Sequence, residues 1–194
     1  MHFLRIAAAA AIGIVMASPV LAHVGQHQGW GLSSGILHPL LGWDHLLAML
    51  ALGLWAGMSR GPLASALLIA FPGGMVLGAV LAIGGITLSG AEWGIGLSGL
   101  ALGVMVWRQW CLPGGLSIML AAGFGICHGY AHGAEIPHSA SVFGYTMGFL
   151  GSTLLLHLAG FAVARRALAD ARPALLRRAG LAVSLISAGL LVAG

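Results

Sequence analysis

Apolar runs alternate with short polar breaks along almost the whole chain. After an N-terminal stretch, the runs cover about residues 32–57, 63–88, 91–106, 113–135, 140–164 and 179–194. Each is close to the roughly 17–25 residues needed to cross the hydrocarbon core of a bilayer. The pattern predicts an all-α membrane protein, a six-transmembrane-helix bundle occupying residues 23–194. Residues 1–22 read as a cleaved signal peptide. Arg5 supplies the positive start, 6–16 form a short apolar core, Ser18-Pro19 breaks the helix, and Val20-Leu21-Ala22 fits a small-residue cleavage site. An uncleaved first span is the alternative, but the stretch is short and Pro19 interrupts it. Cleavage leaves His23 as the mature N-terminus outside the cytoplasm. That points to a bacterial inner membrane, with both mature termini periplasmic.

The arginines test the count. With the N-terminus outside, the segments after the first, third and fifth runs are cytoplasmic. Arg60, Arg108, Arg165, Arg166, Arg172, Arg177 and Arg178 all fall there, as the positive-inside rule requires. Trp30, Trp43, Trp55, Trp93, Trp107 and Trp110 fall mostly near run ends, like an aromatic belt. The 32 glycines recur at close spacing, as in helices that pack tightly in lipid. No internal repeat stands out.

Composition sharpens this reading. Apolar residues make up 59% and charged residues 6%, which excludes a soluble domain with a charged surface. The formal charge is +4, yet lysine is absent and the arginines sit at run ends. The expected partner of that charge is the lipid bilayer, not nucleic acid. Cys111 and Cys127 make no disulfide framework and read as buried thiols.

Two polar constellations interrupt the apolar pattern. His128, His132 and Glu135 stand at i, i+4 and i+7 near the end of the fourth run, within about 60° on a helix. His38, Asp44 and His45 lie in the first run, the histidines seven apart on one helical face if that run is continuous. The predicted topology puts both groups in the outer half of the membrane. Ionisable residues there are costly and usually functional. Neutral imidazoles with carboxylates suit a borderline divalent metal such as Ni, Co, Zn or Cu. Five further residues join the metal candidates on weaker grounds. His23 and His27 lie in the mature head, Glu92 at the start of the third run, His138 in the following outer loop, and His157 deep in the fifth run. Each has a plainer reading: solvated tail, helix-capping acid, loop residue or packed core histidine.

The motifs His38-Pro39-x-x-Gly42-x-Asp44-His45 and His128-Gly129-x-Ala131-His132-Gly133-x-Glu135 resemble the two signatures of the HupE/UreJ family. The likeness covers the whole mature chain and departs at Cys127, where a Phe is expected. It implies a hydrogenase- or urease-associated secondary permease for nickel, with cobalt in some members, feeding metalloenzyme maturation. It carries over to His38, Asp44, His45, His128, His132 and Glu135. The expectation is therefore an importer and not an enzyme. Ni²⁺, Co²⁺ or Zn²⁺ would be its cargo, and no prosthetic group is expected. The main rival is an intramembrane zinc-dependent hydrolase, with Asp44 as general base and Ser139 or Ser141 as a polar partner. A haem protein using His45 and His157 is a weaker rival, because the two differ in predicted depth. The preferred metal, the choice between channel and carrier, energy coupling and oligomeric state (a homo-oligomer included) stay open at this level.

Overall fold

A computed structural model describes residues 31–136 and 141–193. The described residues form seven helices and no strand. These are α1 (Leu32–Leu41), α2 (Trp43–Met58), α3 (Pro62–Ile83), α4 (Ala91–Arg108), α5 (Gly114–Glu135), α6 (Val142–Ala169) and α7 (Pro173–Ala193). The expected signal segment 1–22, together with His23, His27, His138 and Ser139, lies outside the described residues. Helices α3, α5, α6 and α7 are each long and apolar enough to cross a membrane, and α1 with α2 makes a fifth if the bent pair is one span. Helix α4 falls outside that set. Its apolar middle is short, and it opens on Ala91-Glu92 and closes on Trp107-Arg108.

The first apolar run is not one helix. It breaks at Gly42, and α1 and α2 meet at 84°. Pro39 lies inside α1 and has no N–H to return to the Gly35 carbonyl, which weakens the last turn. Gly42 is extended, and its N–H reaches back to the His38 carbonyl while its own carbonyl accepts from Leu46 N. The helix restarts at Trp43. Asp44 Oδ1 accepts from His45 N at 2.8 Å, satisfying one of the N–H groups left open at a helix start.

Two other boundaries move for local reasons. Helix α3 stops at Ile83, before Gly84 and the left-handed Gly85, so the second run ends sooner than its hydropathy suggests. The charged stretch 165–178 is mostly helix. Arg165 and Arg166 extend α6, Arg177 and Arg178 belong to α7, and the turn is confined to residues 170–172. Arginine, alanine and leucine are good helix formers, and Pro173 starts the next helix where its missing N–H costs nothing.

Helix α2 is the axis of the bundle. From Leu47 to Gly57 all but one of its residues are buried, including Trp55 and Met49. The other helices keep an apolar outer face, with Ile69, Phe143 and Leu155 among the most exposed side chains. Glycine seams set the helix pairs. On α5, Gly125, Gly129 and Gly133 face Phe71, Met75 and Ala79 of α3, in register and parallel. A methyl group at Gly129 would overlap the Met75 backbone. Gly53 and Gly57 of α2 meet His157 and Phe161 of α6, also parallel, whereas Gly99 and Gly103 of α4 meet Ser187 and Ser184 of α7 antiparallel. Backbones this close gain van der Waals contact where lipid offers no hydrophobic drive between helices.

The bundle has two unlike ends. At one, Arg165 donates to the Ser59 carbonyl, Arg177 forks onto Gln109 Oε1, and Trp55 Nε1 donates to the Trp110 carbonyl. At the other, α1, the start of α2, the end of α5 and the start of α6 bring the histidines together.

Candidate metal centre

The break at Gly42 builds the site. On a continuous helix His38 and His45 would stand about 10 Å apart along the axis. The bend instead brings their ring centroids to 5.9 Å, one from the last turn of α1 and the other from the first turn of α2. Helix α5 adds His132, whose ring lies 4.4 Å from that of His38 and 4.5 Å from that of His45. One ring nitrogen from each of His38, His45 and His132 falls within 4.8 Å of the other two. Nitrogens sharing one ion at about 2.0–2.1 Å each stand roughly 3–4 Å apart, so small side-chain adjustments let one ion engage all three.

A carboxylate stands behind each of two imidazoles, and one of them is hydrogen-bonded. Asp44 Oδ1 lies 2.6 Å from His45 Nδ1. A carboxylate only accepts, so Nδ1 carries the hydrogen and Nε2 presents its lone pair. That lone pair faces Nε2 of His132 across 2.5 Å. Behind His132, Glu135 Oε2 stands 3.8 Å from Nδ1. Each central histidine thus has a carboxylate on its Nδ1 side and turns Nε2 to the shared point. A hydrogen-bonded carboxylate such as Asp44 fixes the tautomer and raises the basicity of a metal-binding imidazole. Glu135 stands beyond hydrogen-bond reach of His132, whose Nδ1 has no hydrogen-bond partner in the protein. The sequence counts Asp44 and Glu135 with the metal-binding set. In this geometry they stand behind the imidazoles.

His128 is the fourth imidazole. It is fully buried, with its ring 5.1 Å from that of His45. Its Nδ1 donates to the Phe124 carbonyl at 2.9 Å, and its Nε2 has no hydrogen-bond partner in the protein. It lies outside the three-nitrogen group and beside it. Glu92 is exposed in the first turn of α4, also outside that group. His157 is separate and buried in α6. Cys127 packs against Gly94 of α4, so its thiol fills the α4–α5 contact.

Aromatic walls complete the site, and the sequence pattern did not single them out. Tyr145 and Phe149 of α6 lie 6.0 and 5.8 Å from the His38 ring, and Phe149 lies 4.5 Å from that of His132. Phe71 of α3 lies 5.0 Å from His128. An apolar ring in an apolar helix carries no signal of its own. Only the parallel α3–α5 seam tells that Phe71 meets the histidines.

The likeness to known proteins extends over almost the whole chain. The family described as HupE / UreJ protein matches residues 10–191. The chain belongs to the HupE/UreJ family. Protein HupE of Rhizobium leguminosarum bv. viciae is 38% identical over 175 residues, covering 88% of this chain and 89% of that protein. No solved structure matches. As a HupE/UreJ protein with several long apolar helices, the chain is a multi-pass membrane protein.

Proposed function

We propose that this chain is a secondary importer that moves Ni²⁺, or Co²⁺, from the periplasm to the cytoplasm for metalloenzyme maturation. The observation that carries the reading is the convergence of His38, His45 and His132 nitrogens within 4.8 Å at one end of a membrane bundle. Family membership supports it. Two carboxylates behind neutral imidazoles make a donor set for a borderline dication.

The reading takes the chain as six membrane crossings, with α1 and α2 as one broken span and α4 as a full crossing. Helix directions support this count. With α4 crossing, α3 and α5 run the same way and α4 opposes α7, as their seams do. Without it, α3 and α5 would be antiparallel. The arginines gather at the end away from the histidines, which supports a cytoplasmic arginine end and a periplasmic metal mouth. An inside-negative potential then drives entry by about 2.3 kcal/mol per charge per 100 mV, doubled for a dication.

The zinc-hydrolase alternative gains nothing from this arrangement. Asp44 is engaged with His45, and Ser141 Oγ accepts from Gly144 N at 3.2 Å to cap α6.

The test is uptake of labelled nickel and cobalt by cells expressing wild type or His132→Ala, at matched surface level. Loss of a metal-binding imidazole should exceed the roughly 10–100-fold cost of losing an orienting partner. Uptake that survives His132→Ala sinks the site. No uptake of either ion by correctly inserted wild type sinks the importer.

A further inference from the structure

One buried imidazole stands apart from the mouth. His157 of α6 is fully buried, and neither ring nitrogen has a hydrogen-bond partner in the protein. Its backbone packs on Gly53 of α2, eight residues beyond His45, so it lies about 12 Å deeper along that helix. One turn earlier on the same face, Thr153 Oγ1 is also buried without a partner. Of the other buried hydroxyls, Ser187 Oγ on α7 likewise has no partner, whereas several are satisfied locally. Ser98 and Ser184 bond to carbonyls one turn back, and Ser117 does the same. In a bilayer an unpaired buried donor or acceptor is costly and needs a reason.

The path between the mouth and His157 is short. The Phe71 ring touches both ends of it, 5.0 Å from the His128 ring and 5.1 Å from the His157 ring. His128 Nε2, on the mouth side of Phe71, is likewise without a protein partner. A row of unpaired donors therefore runs from the mouth inward, with one aromatic ring between its two stations.

We propose that His157 is an inner station for the same divalent transition-metal ion, accepting it from the His38–His45–His132 mouth past Phe71, with Thr153 Oγ1 as a neighbouring oxygen donor. This rests on the import reading above. A dication that has left the mouth needs a second set of donors before it reaches the arginine end. His157 lies on that route, eight residues before Arg165 on α6.

The experiment uses purified full-length protein in liposomes, with an inside-negative potential and a trapped metal-quenched dye. His157→Leu replaces an unpaired imidazole with an apolar side chain. If His157 only packs, the variant transports within about twofold of wild type, which overturns the proposal. If it is a station, Ni²⁺ flux falls at least about 10-fold, while equilibrium Ni²⁺ binding at the mouth and the melting temperature hold. His157→Gln, which keeps polarity without an imidazole, should be equally slow. Flux restored by Gln overturns the metal role.

A spectroscopic arm does not depend on flux. In a Cys111→Ser, Cys127→Ala background, His157→Cys should give a thiolate-to-Co²⁺ charge-transfer band on adding Co²⁺, because thiolates are soft metal ligands. Absence of the band from the folded variant overturns the proposal. His45→Ala run in parallel separates the two readings. If it transports like wild type, the mouth assignment fails. If it fails while His157→Leu transports, only the inner station fails.

Discussion

Both ends of the bundle hold an acid beside a base, in opposite settings. At the histidine end Asp44 approaches His45 at 2.6 Å, and the imidazole side chain is 9% exposed. At the arginine end Asp170 approaches Arg166 at 3.0 Å, and the guanidinium side chain is 80% exposed. The first acid sets the tautomer of a buried donor that faces two other donors. The second touches a side chain already surrounded by water or lipid headgroups. An acid beside a nitrogen base therefore supports a site in one place and a surface in the other. Burial and convergence make the difference.

The comparison breaks most sharply at Asp44. Replacing it by Asn removes the charge behind His45 and lets the ring turn. Ni²⁺ affinity, read by equilibrium binding to the purified protein, should fall about 10–100-fold. An unchanged affinity would mean that Asp44 is only a helix-start acid. Glu135→Gln should cost less, because Glu135 stands 3.8 Å from its histidine where Asp44 stands at 2.6 Å. A larger loss at Glu135 than at Asp44 would show the carboxylate of Glu135 to be a direct metal donor.

The two ends also differ in how closely the backbone is packed around them. Gly129 lies between His128 and His132 and rests on the Met75 backbone. Gly115 lies at the other end of the same helix, and a methyl group added there would meet nothing within 4 Å. Gly129→Ala should destabilise by about 1–3 kcal/mol through overpacking and push His132 off its partners. Gly115→Ala should be neutral or slightly stabilising, within about 1 kcal/mol. Thermal unfolding in detergent separates them. Equal melting temperatures would mean that the α3–α5 seam opens freely, and that α5 is not a fixed mount for its histidines.

Most of this arrangement was legible in the residues, and the missing parts share a cause. His38, His45, His128 and His132 stand out because imidazoles are rare in apolar helices, and the arginine pattern puts them at one end. The seven-residue spacing of His38 and His45 suggested one helical face. The structure joins them through a break at Gly42 instead. Pro39 and Gly42 permit that break, but spacing does not give its 84° angle or the packing of α1 on α6 through Gly35 and Gly148. The places of Asp44 and Glu135 behind their rings follow from side-chain direction, which spacing alone leaves open. Glu92 looked like a neighbour of the cluster because it shares the expected depth. Depth does not fix the face, and Glu92 is exposed.

The smallest expected effect sharpens the contrast from the arginine end. Asp170 follows α6 as its C-terminal cap, where the helix dipole disfavours a negative charge, and it pairs with Arg166 one turn back. Asp170→Asn removes a weak exposed ion pair and, with it, an unfavourable dipole contact. The two changes oppose each other, so stability should shift by no more than about 0.5 kcal/mol. Acids contribute little to membrane orientation, so the arginines should still hold that end in place. Nickel uptake and surface level should match wild type. If Asp170→Asn lowered uptake as far as Asp44→Asn at equal surface level, the arginine end would be part of the transport path. Exposure would then no longer separate an anchoring charge from a working one.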